Sequence, residues 1–286
     1  MRSEAEMLGL ILSTAREDER IRAVILNGSR ANPNAPADMF RDYDIVYVVT
    51  EVSSFTADPG WIDRFGERAI LQEPDDMLGG QRLPYRYAYL MQFRDGTRID
   101  LTLYQADHLK QMSSDSLSVL LLDKDGSLPP FPPPNESDYW PKAPGAREFA
   151  ECCNEFWWVM AYPAKGLARG QVIYALALME QVLRSELFKI LNWLIGVRSN
   201  FRRNPGKHGA NYPELLPPDL YSLLLRTYAV AEAGAAWQAL HAFSDLFERA
   251  AREVGQAFQY DYPEGDARRV REILDWFKEQ SRDPHP

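Results

Sequence analysis

The chain has 286 residues, of which 45% are hydrophobic and 26% charged, with a formal net charge of −9. Its apolar runs fall short of the roughly 20 residues that a membrane-spanning helix requires, and its acidity disfavours nonspecific binding to nucleic-acid phosphates. Two adjacent cysteines, Cys152 and Cys153, and four scattered histidines (His108, His208, His241, His285) exclude a disulfide framework, disfavour a His/Cys zinc site and make a reducing cytoplasm the expected setting.

Residues 3–20 open the chain as a charged, amphipathic helix with no apolar signal-peptide core. "IRAVILN" (21–27) and "YDIVYVVT" (43–50) follow as strands rich in β-branched and aromatic residues. "WIDRFGE" is a short helical piece and "AILQE" a short strand. "YRYAYLMQF" and "RIDLTLY" are strands joined by "RDGT", an Asp-Gly hairpin signal. "QADHLKQM" reads as helix, and "VLLLDKDG" as a strand running into a turn. Then "SLPPFPPPNESDYWPKAPG" (127–145) carries seven prolines, which neither a helix nor a central strand accommodates. Beyond it the period becomes helical. "REFAECCNEFWWVMAYPAKG", one long helix over 171–197, and further helices over 217–233, 235–258 and 266–281 make a bundle. Cys152 and Cys153 are expected as small buried residues of the first of these helices. Trp157, Trp158 and Tyr162, at helical spacing, are assigned to its core. The expected division is a mixed α and β domain over 1–128, a Pro-rich linker over 129–145 and a helical domain over 146–286.

The segment "LNGSRANPNAPADMFRDYDIV" (26–46) holds the candidate chemistry. Asp42 and Asp44 are two apart, so on a strand they share a face. Two carboxylates so placed repel unless a cation lies between them, and oxygen-rich sites suit Mg²⁺. At the other end of the loop, Gly28 and Ser29 form a turn. Its backbone N–H groups and hydroxyl suit phosphate oxygens, with Arg30 beside them; a plain turn and a solvated arginine are the alternatives. In "RIDLTLY", Arg98, Asp100, Thr102 and Tyr104 share one face while Ile99, Leu101 and Leu103 share the other. Asp100 alone says little, since strand edges often look this way. With Asp42 and Asp44 it fits a three-carboxylate, two-metal site for in-line displacement at phosphorus, as a third metal ligand or as the base. A hydrolase reading of Ser29 fails, because "NGSRA" lacks the second glycine of the nucleophile elbow.

The order Gly28-Ser29, Asp42-Tyr43-Asp44, Asp100 resembles the nucleotidyltransferase superfamily that includes DNA polymerase β. With "LQEPDDM", "FRDGTRIDLTL", "LLDKDG", "FWWVMAYPAKGLARGQ" and "NFRRNPGKHG", nearly the whole chain resembles the aminoglycoside 6-adenylyltransferases, which adenylylate streptomycin. The resemblance implies an α+β fold, a nucleotidyltransferase-type mixed sheet followed by an α-helical bundle. It implies ATP as donor, two Mg²⁺ ions as metal and an aminoglycoside hydroxyl as acceptor, with pyrophosphate released and antibiotic inactivation as the outcome. It raises Lys207, in "RRNPGKHG", from a solvated loop lysine to a candidate triphosphate contact. Glu73, Lys165 and Gln171 are the candidate acceptor contacts, Glu73 having a sheet-edge cap as its alternative. Acidic "QEPDD" is a candidate wall for a polycationic acceptor. No nucleic acid or membrane partner is expected, and the chain is expected as a monomer or homodimer. Two other readings stay open: transfer to a different small-molecule or protein hydroxyl, and an inactive nucleotide-binding module.

Overall fold

A computed structural model describes residues 1–113 and 115–281, so His285 lies outside the described residues. The chain divides into two units, Met1–Asp138 and Tyr139–Pro286.

In the first unit, helix α1 (Glu4–Glu17) starts at a capping box. The Glu6 amide donates to the Ser3 hydroxyl at 3.3 Å, and the Ser3 amide donates to the Glu6 carboxylate at 2.7 Å, satisfying amides that a helix start leaves open. Met7, Ile11 and Ala15 of α1 are buried against the sheet. The strands are β1 (Ile21–Asn27), β2 (Tyr43–Val49), β3 (Arg68–Gln72), β4 (Arg86–Phe93), β5 (Arg98–Gln105) and β6 (Ser118–Asp123), with a single helical turn α2 (Ser53–Thr56) after β2. Their order is β3-β4-β5-β2-β1-β6. Strands β2 and β5 pair in parallel and the other neighbours antiparallel, so the sheet is mixed, as expected. The Asp-Gly hairpin between β4 and β5 is present. Gly96 takes φ +84° there, and Asp95 accepts from the Thr97 amide at 3.0 Å, the local bonding that suits Asp to turns.

One face of this sheet is the larger core. Val24, Leu26, Tyr43, Ile45, Tyr47, Ile99, Leu101 and Leu103 point into it, under α1. The opposite face holds a smaller cluster of Ala23, Ile25, Val46, Val48 and Tyr104, with Leu128 and Phe131 of the Pro-rich segment packed on it. "QADHLKQM" forms a 3-10 turn over Ala106–Gln111 rather than an α-helix.

The second unit is helical: α3 (Ala146–Ala168), α4 (Val172–Leu178), α5 (Arg184–Ser199), α6 (Tyr212–Leu215), α7 (Pro218–Leu225), α8 (Ala233–Phe258) and α9 (Glu264–Glu279). Phe156 of α3 stacks on Phe247 of α8, ring centroids 3.7 Å apart, and Trp157 donates from its indole to the Tyr262 hydroxyl at 3.0 Å. Cys152 and Cys153 are buried, and burial raises both thiol pKa values, that of Cys153 to about 12. This keeps them protonated and unreactive.

Three further expectations are revised. The long helix over 171–197 runs unbroken from Val172 to Ser199 but contains a π-helical turn, Met179–Leu183; the apolar pattern continues through that turn, so periodicity does not reveal it. The helix over 217–233 ends at Leu225. Buried Thr227 donates to the Leu224 carbonyl at 2.6 Å, and the buried Arg184 guanidinium donates to the Thr227 hydroxyl and, at 3.3 Å, to its carbonyl. The chain leaves the helix to serve that buried cation. Finally, Trp157 is core, but Trp158 is 64% and Tyr162 38% exposed. Consecutive helical positions point about 100° apart, and 158 and 162 share the outward face; there the Trp158 indole donates to the Tyr162 hydroxyl at 3.0 Å.

Candidate active site

The parallel pairing of β2 with β5 sets Tyr43 opposite Ile99 and Asp44 opposite Asp100. Strand side chains alternate. With Tyr43 and Ile99 turned into the larger core, Asp44 and Asp100 stand together on the other face. Asp42 precedes β2 by one residue, and Arg98 opens β5. Strand β1 flanks β2 on its other side, with Asn27 opposite Asp44 and also opposite Ser118 of β6. The Ser118 hydroxyl donates to the Asn27 side chain at 2.8 Å.

Glycine is required at the turn after β1. Gly28 has φ +72°, a region that favours glycine, and a Cβ there would overlap the Asp44 carboxylate, lying 3.1 Å from its Cγ. The Gly28 amide donates to the Leu117 carbonyl at 3.0 Å. Gly28–Arg30 form one 3-10 turn, with Ser29 exposed beside the carboxylates' loop. Arg30, a candidate phosphate contact, has its guanidinium engaged within the loop. It donates to the carbonyls of Asp42 at 3.1 Å and Arg41 at 2.7 Å, and lies 3.7 Å over the Tyr43 ring. It thereby ties the two ends of the Asn32–Arg41 excursion together. At the far side of that excursion Asn32 and Asn34 donate to Glu136 at 2.9 and 3.0 Å.

The electrostatics of the carboxylates follow from their crowding. Asp44 is pushed up from 3.8 to about 6, first by burial, then by the charges of Asp100 and Asp42; Arg98 opposes this and Asp115 adds to it. Asp42 is raised by burial as well, with Arg98 pulling the other way. Arg98 donates from Nε to Asp100 Oδ1 at 2.7 Å and from Nη2 to Oδ2 at 2.8 Å, a two-pronged pair, and its Nη1 lies 3.5 Å from Asp42. Three carboxylates thus face one guanidinium. An all-oxygen donor set with excess negative charge fits a hard divalent cation such as Mg²⁺. Among the described residues no three such side chains converge as a formed ligand group, and Arg98 covers both oxygens of Asp100.

The other candidates lie elsewhere. Glu73 follows β3 and accepts from the Tyr87 hydroxyl at 2.9 Å. The acidic "QEPDD" stretch is largely engaged: Asp75 is buried, accepts from the Ala88 amide at 2.8 Å and pairs with Arg86, while Asp76 pairs with Arg82 at 2.5 Å. Lys207, Lys165 and Gln171 belong to the second unit. Lys207 is exposed in a 3-10 turn between Gly206 and Gly209, both at positive φ. Exposed Lys165 has its Nζ 5.7 Å from the Phe277 ring centroid. Gln171 is exposed at the start of α4, its amide donating to the Gly166 carbonyl at 2.8 Å. Sequence reasoning placed Arg98 on the face of Asp100 but gave it no part, and missed Asn27 and Asp115. The signal for Arg98 was its i, i+2 spacing from Asp100; Asn27 carries none short of the strand register, and Asp115, which precedes β6, carries none.

Comparison with known proteins bears on this constellation. The streptomycin adenylyltransferase family matches residues 1–276. An aminoglycoside 6-adenylyltransferase of Campylobacter jejuni is 39% identical over 264 residues, 92% of each chain. That of Bacillus subtilis is 38% identical over 269 residues, 93% of this chain and 95% of its own. That of Staphylococcus aureus is 35% identical over 266 residues, 92% of this chain and 94% of its own.

Proposed function

The chain belongs to the streptomycin adenylyltransferase family, and we propose that it transfers AMP from Mg²⁺-bound ATP to a hydroxyl of an aminoglycoside, the 6-position of a streptomycin-type acceptor, releasing pyrophosphate. The observation that carries the reading is the strand register that sets Asp44 opposite Asp100 with Asp42 at the mouth of β2. The relatives' names supply the acceptor class.

Asp42, Asp44 and Asp100 would hold the metal, and Ser29 and the Gly28 turn would hold phosphate oxygens. Asp100 takes the proton of the acceptor hydroxyl as its oxygen attacks the α-phosphorus; the bond from that phosphorus to the bridging oxygen breaks, and pyrophosphate leaves with the bond's electrons. Bound Mg²⁺ supplies electrostatic relief of the charge that builds on the attacking and leaving oxygens. Lys207 is assigned to the triphosphate, and Glu73, Lys165 and Gln171 to the acceptor, with the first unit as the catalytic domain and the helical unit as the acceptor-reading domain. The Gly28–Asp44 contact supports the reading in another way. Backbone with no side chain packed against a carboxylate leaves the phosphate-binding turn and the metal ligand in direct apposition.

Pyrophosphate release from ATP and Mg²⁺ across a panel of aminoglycosides tests the reading. Release with streptomycin, lost in both Asp42→Asn and Asp44→Asn, is expected. Turnover within about tenfold of wild type in both variants defeats the two-carboxylate site, since charge-assisted ligands contribute more than that. Release with a neutral or protein acceptor alone defeats the acceptor assignment.

A further inference from the structure

Arg98 stands where a cation is wanted. Its fork takes both oxygens of Asp100, and its remaining nitrogen approaches Asp42 at 3.5 Å. Arg98 and Asp100 are two apart on β5 and share a face, so the pairing needs no movement of the sheet. Of the other arginines beside these carboxylates, Arg30 is committed to the Asp42 and Arg41 carbonyls and to Glu4, and Arg41 donates to the Ser29 carbonyl at 3.3 Å and lies 3.9 Å from Glu4. Arg98 is therefore the guanidinium that balances the carboxylate cluster.

We propose that Arg98 is an internal counter-ion that competes with the divalent metal for Asp100 and Asp42, and that nucleotide phosphate relieves the competition by giving the guanidinium a new anionic partner. This rests on the metal reading above. The chemistry is symmetric: a guanidinium fork matches a carboxylate and a phosphate equally well, so leaving Asp100 costs little once phosphate oxygens are present. Without nucleotide, a metal must displace the fork and leave it unpaired. Metal alone then binds weakly, and metal and nucleotide bind with mutual reinforcement, as linkage requires. Arg98 is in this sense a positioning residue. It keeps three crowded carboxylates aligned before the substrates arrive, and it makes the loading of one substrate depend on the other.

The test measures Mn²⁺ binding by the loss of the free-ion resonance signal, with and without the non-reacting α,β-methylene analogue of ATP. The proteins are wild type, Arg98→Met, Arg98→Lys and Asp44→Asn. Arg98→Met is expected to bind Mn²⁺ alone about tenfold or more tightly than wild type, the scale of one charge-assisted hydrogen bond. The analogue is expected to strengthen Mn²⁺ binding in wild type by a factor that shrinks in Arg98→Met. Arg98→Lys keeps the charge without the fork and falls between the two, which carries the test if the methionine variant does not fold. Mn²⁺ affinities in Arg98→Met and Arg98→Lys equal to wild type, with Asp44→Asn silent, overturn the inference while leaving the metal site standing. Equal binding by wild type and Asp44→Asn overturns the metal site, and the inference with it.

Discussion

Replacing Asp44 by Asn separates its proposed metal-holding role from its cost to the fold. The Asp44 carboxyl is raised from 3.8 to about 6, by burial first and by Asp100 and Asp42 next. A carboxyl whose folded pKa lies above its unfolded value costs stability as it ionises. The cost is absent below the unfolded value, grows as pH rises through the window between the two, and is complete above about 6. At about 1.4 kcal/mol per pKa unit, the full penalty is about 3 kcal/mol. Partial exposure and water penetration reduce it, and half is a fair expectation. Asn keeps the shape and removes the charge. In chelator at about pH 8, Asp44→Asn should raise the unfolding midpoint of the first unit by roughly 5 °C. The gain should be small near pH 4 and vanish below about pH 3, where wild type is protonated in both states. Mg²⁺ added together with the α,β-methylene analogue of ATP should raise the wild-type midpoint more than it raises the variant's, while AMP transfer is lost in the variant. Scanning calorimetry at several pH values, with and without Mg²⁺ and the analogue, reads the midpoints. A variant no more stable than wild type at about pH 8, or a gain that persists undiminished at about pH 4.5, refutes the reasoning.

The remaining expectations concern the turn, the lysine and the acceptor. Gly28→Ala places a methyl group against the Asp44 carboxylate at a φ of +72°. It should cost about 1–3 kcal/mol of stability in denaturant unfolding, from left-handed strain plus displacement of the carboxylate, and lower kcat far more than the affinity for the acceptor; a variant with wild-type turnover removes the turn from the site. Lys207→Ala should weaken ATP binding by about 1–3 kcal/mol, the range for charged hydrogen bonds, measured as KM for ATP against an unchanged acceptor affinity. No change returns Lys207 to the role of a solvated loop residue. The proposed cationic acceptor should bind more weakly as ionic strength rises, because exposed charges are screened over about 8 Å at physiological salt. A carboxylate added by Gln171→Glu should tighten streptomycin binding at low salt. Calorimetry showing salt-independent binding, or no gain in the variant, removes charge and Gln171 from acceptor recognition.

Strand periodicity made much of the first unit legible. In "RIDLTLY" the alternation alone separates buried Ile99, Leu101 and Leu103 from the polar face, and the structure keeps that division. The same rule brings Asp44 and Asp100 to one face once the strands pair in parallel; the family pattern anticipated that the carboxylates act together, but not the pairing that joins them. What the sequence did not reveal is side-chain commitment. Arg30 across its loop and Asp75 on the Ala88 amide are partnerships over 11 to 13 residues that local pattern does not encode, whereas Arg98 on Asp100 is a local i, i+2 pair whose spacing was visible. The second unit shows the same limit. Residues 217–233 have a good helical pattern, yet buried Arg184 draws Thr227 out of the helix. Trp158 and Trp157 look alike in sequence, and only the helix phase tells them apart.

The parallel partnership of β2 and β5 also has a kinetic meaning. Parallel neighbours cannot be closed by a tight turn, and here β3 and the whole β4–β5 hairpin must form in the interval between them. The opposite flank requires Ser118 of β6 to meet Asn27 across 91 residues of chain. Contacts of such long sequence separation are slow to form, because loop entropy is lost before the pairing repays it. The carboxylates therefore meet near the end of the first unit's folding. Until then Asp42 and Asp44 are ordinary solvated side chains with no crowding between them, and their mutual repulsion opposes only the last step of assembly. During refolding, the capacity to bind Mn²⁺ should accordingly appear with the slowest phase, after helix α1 and the β4–β5 hairpin have already formed.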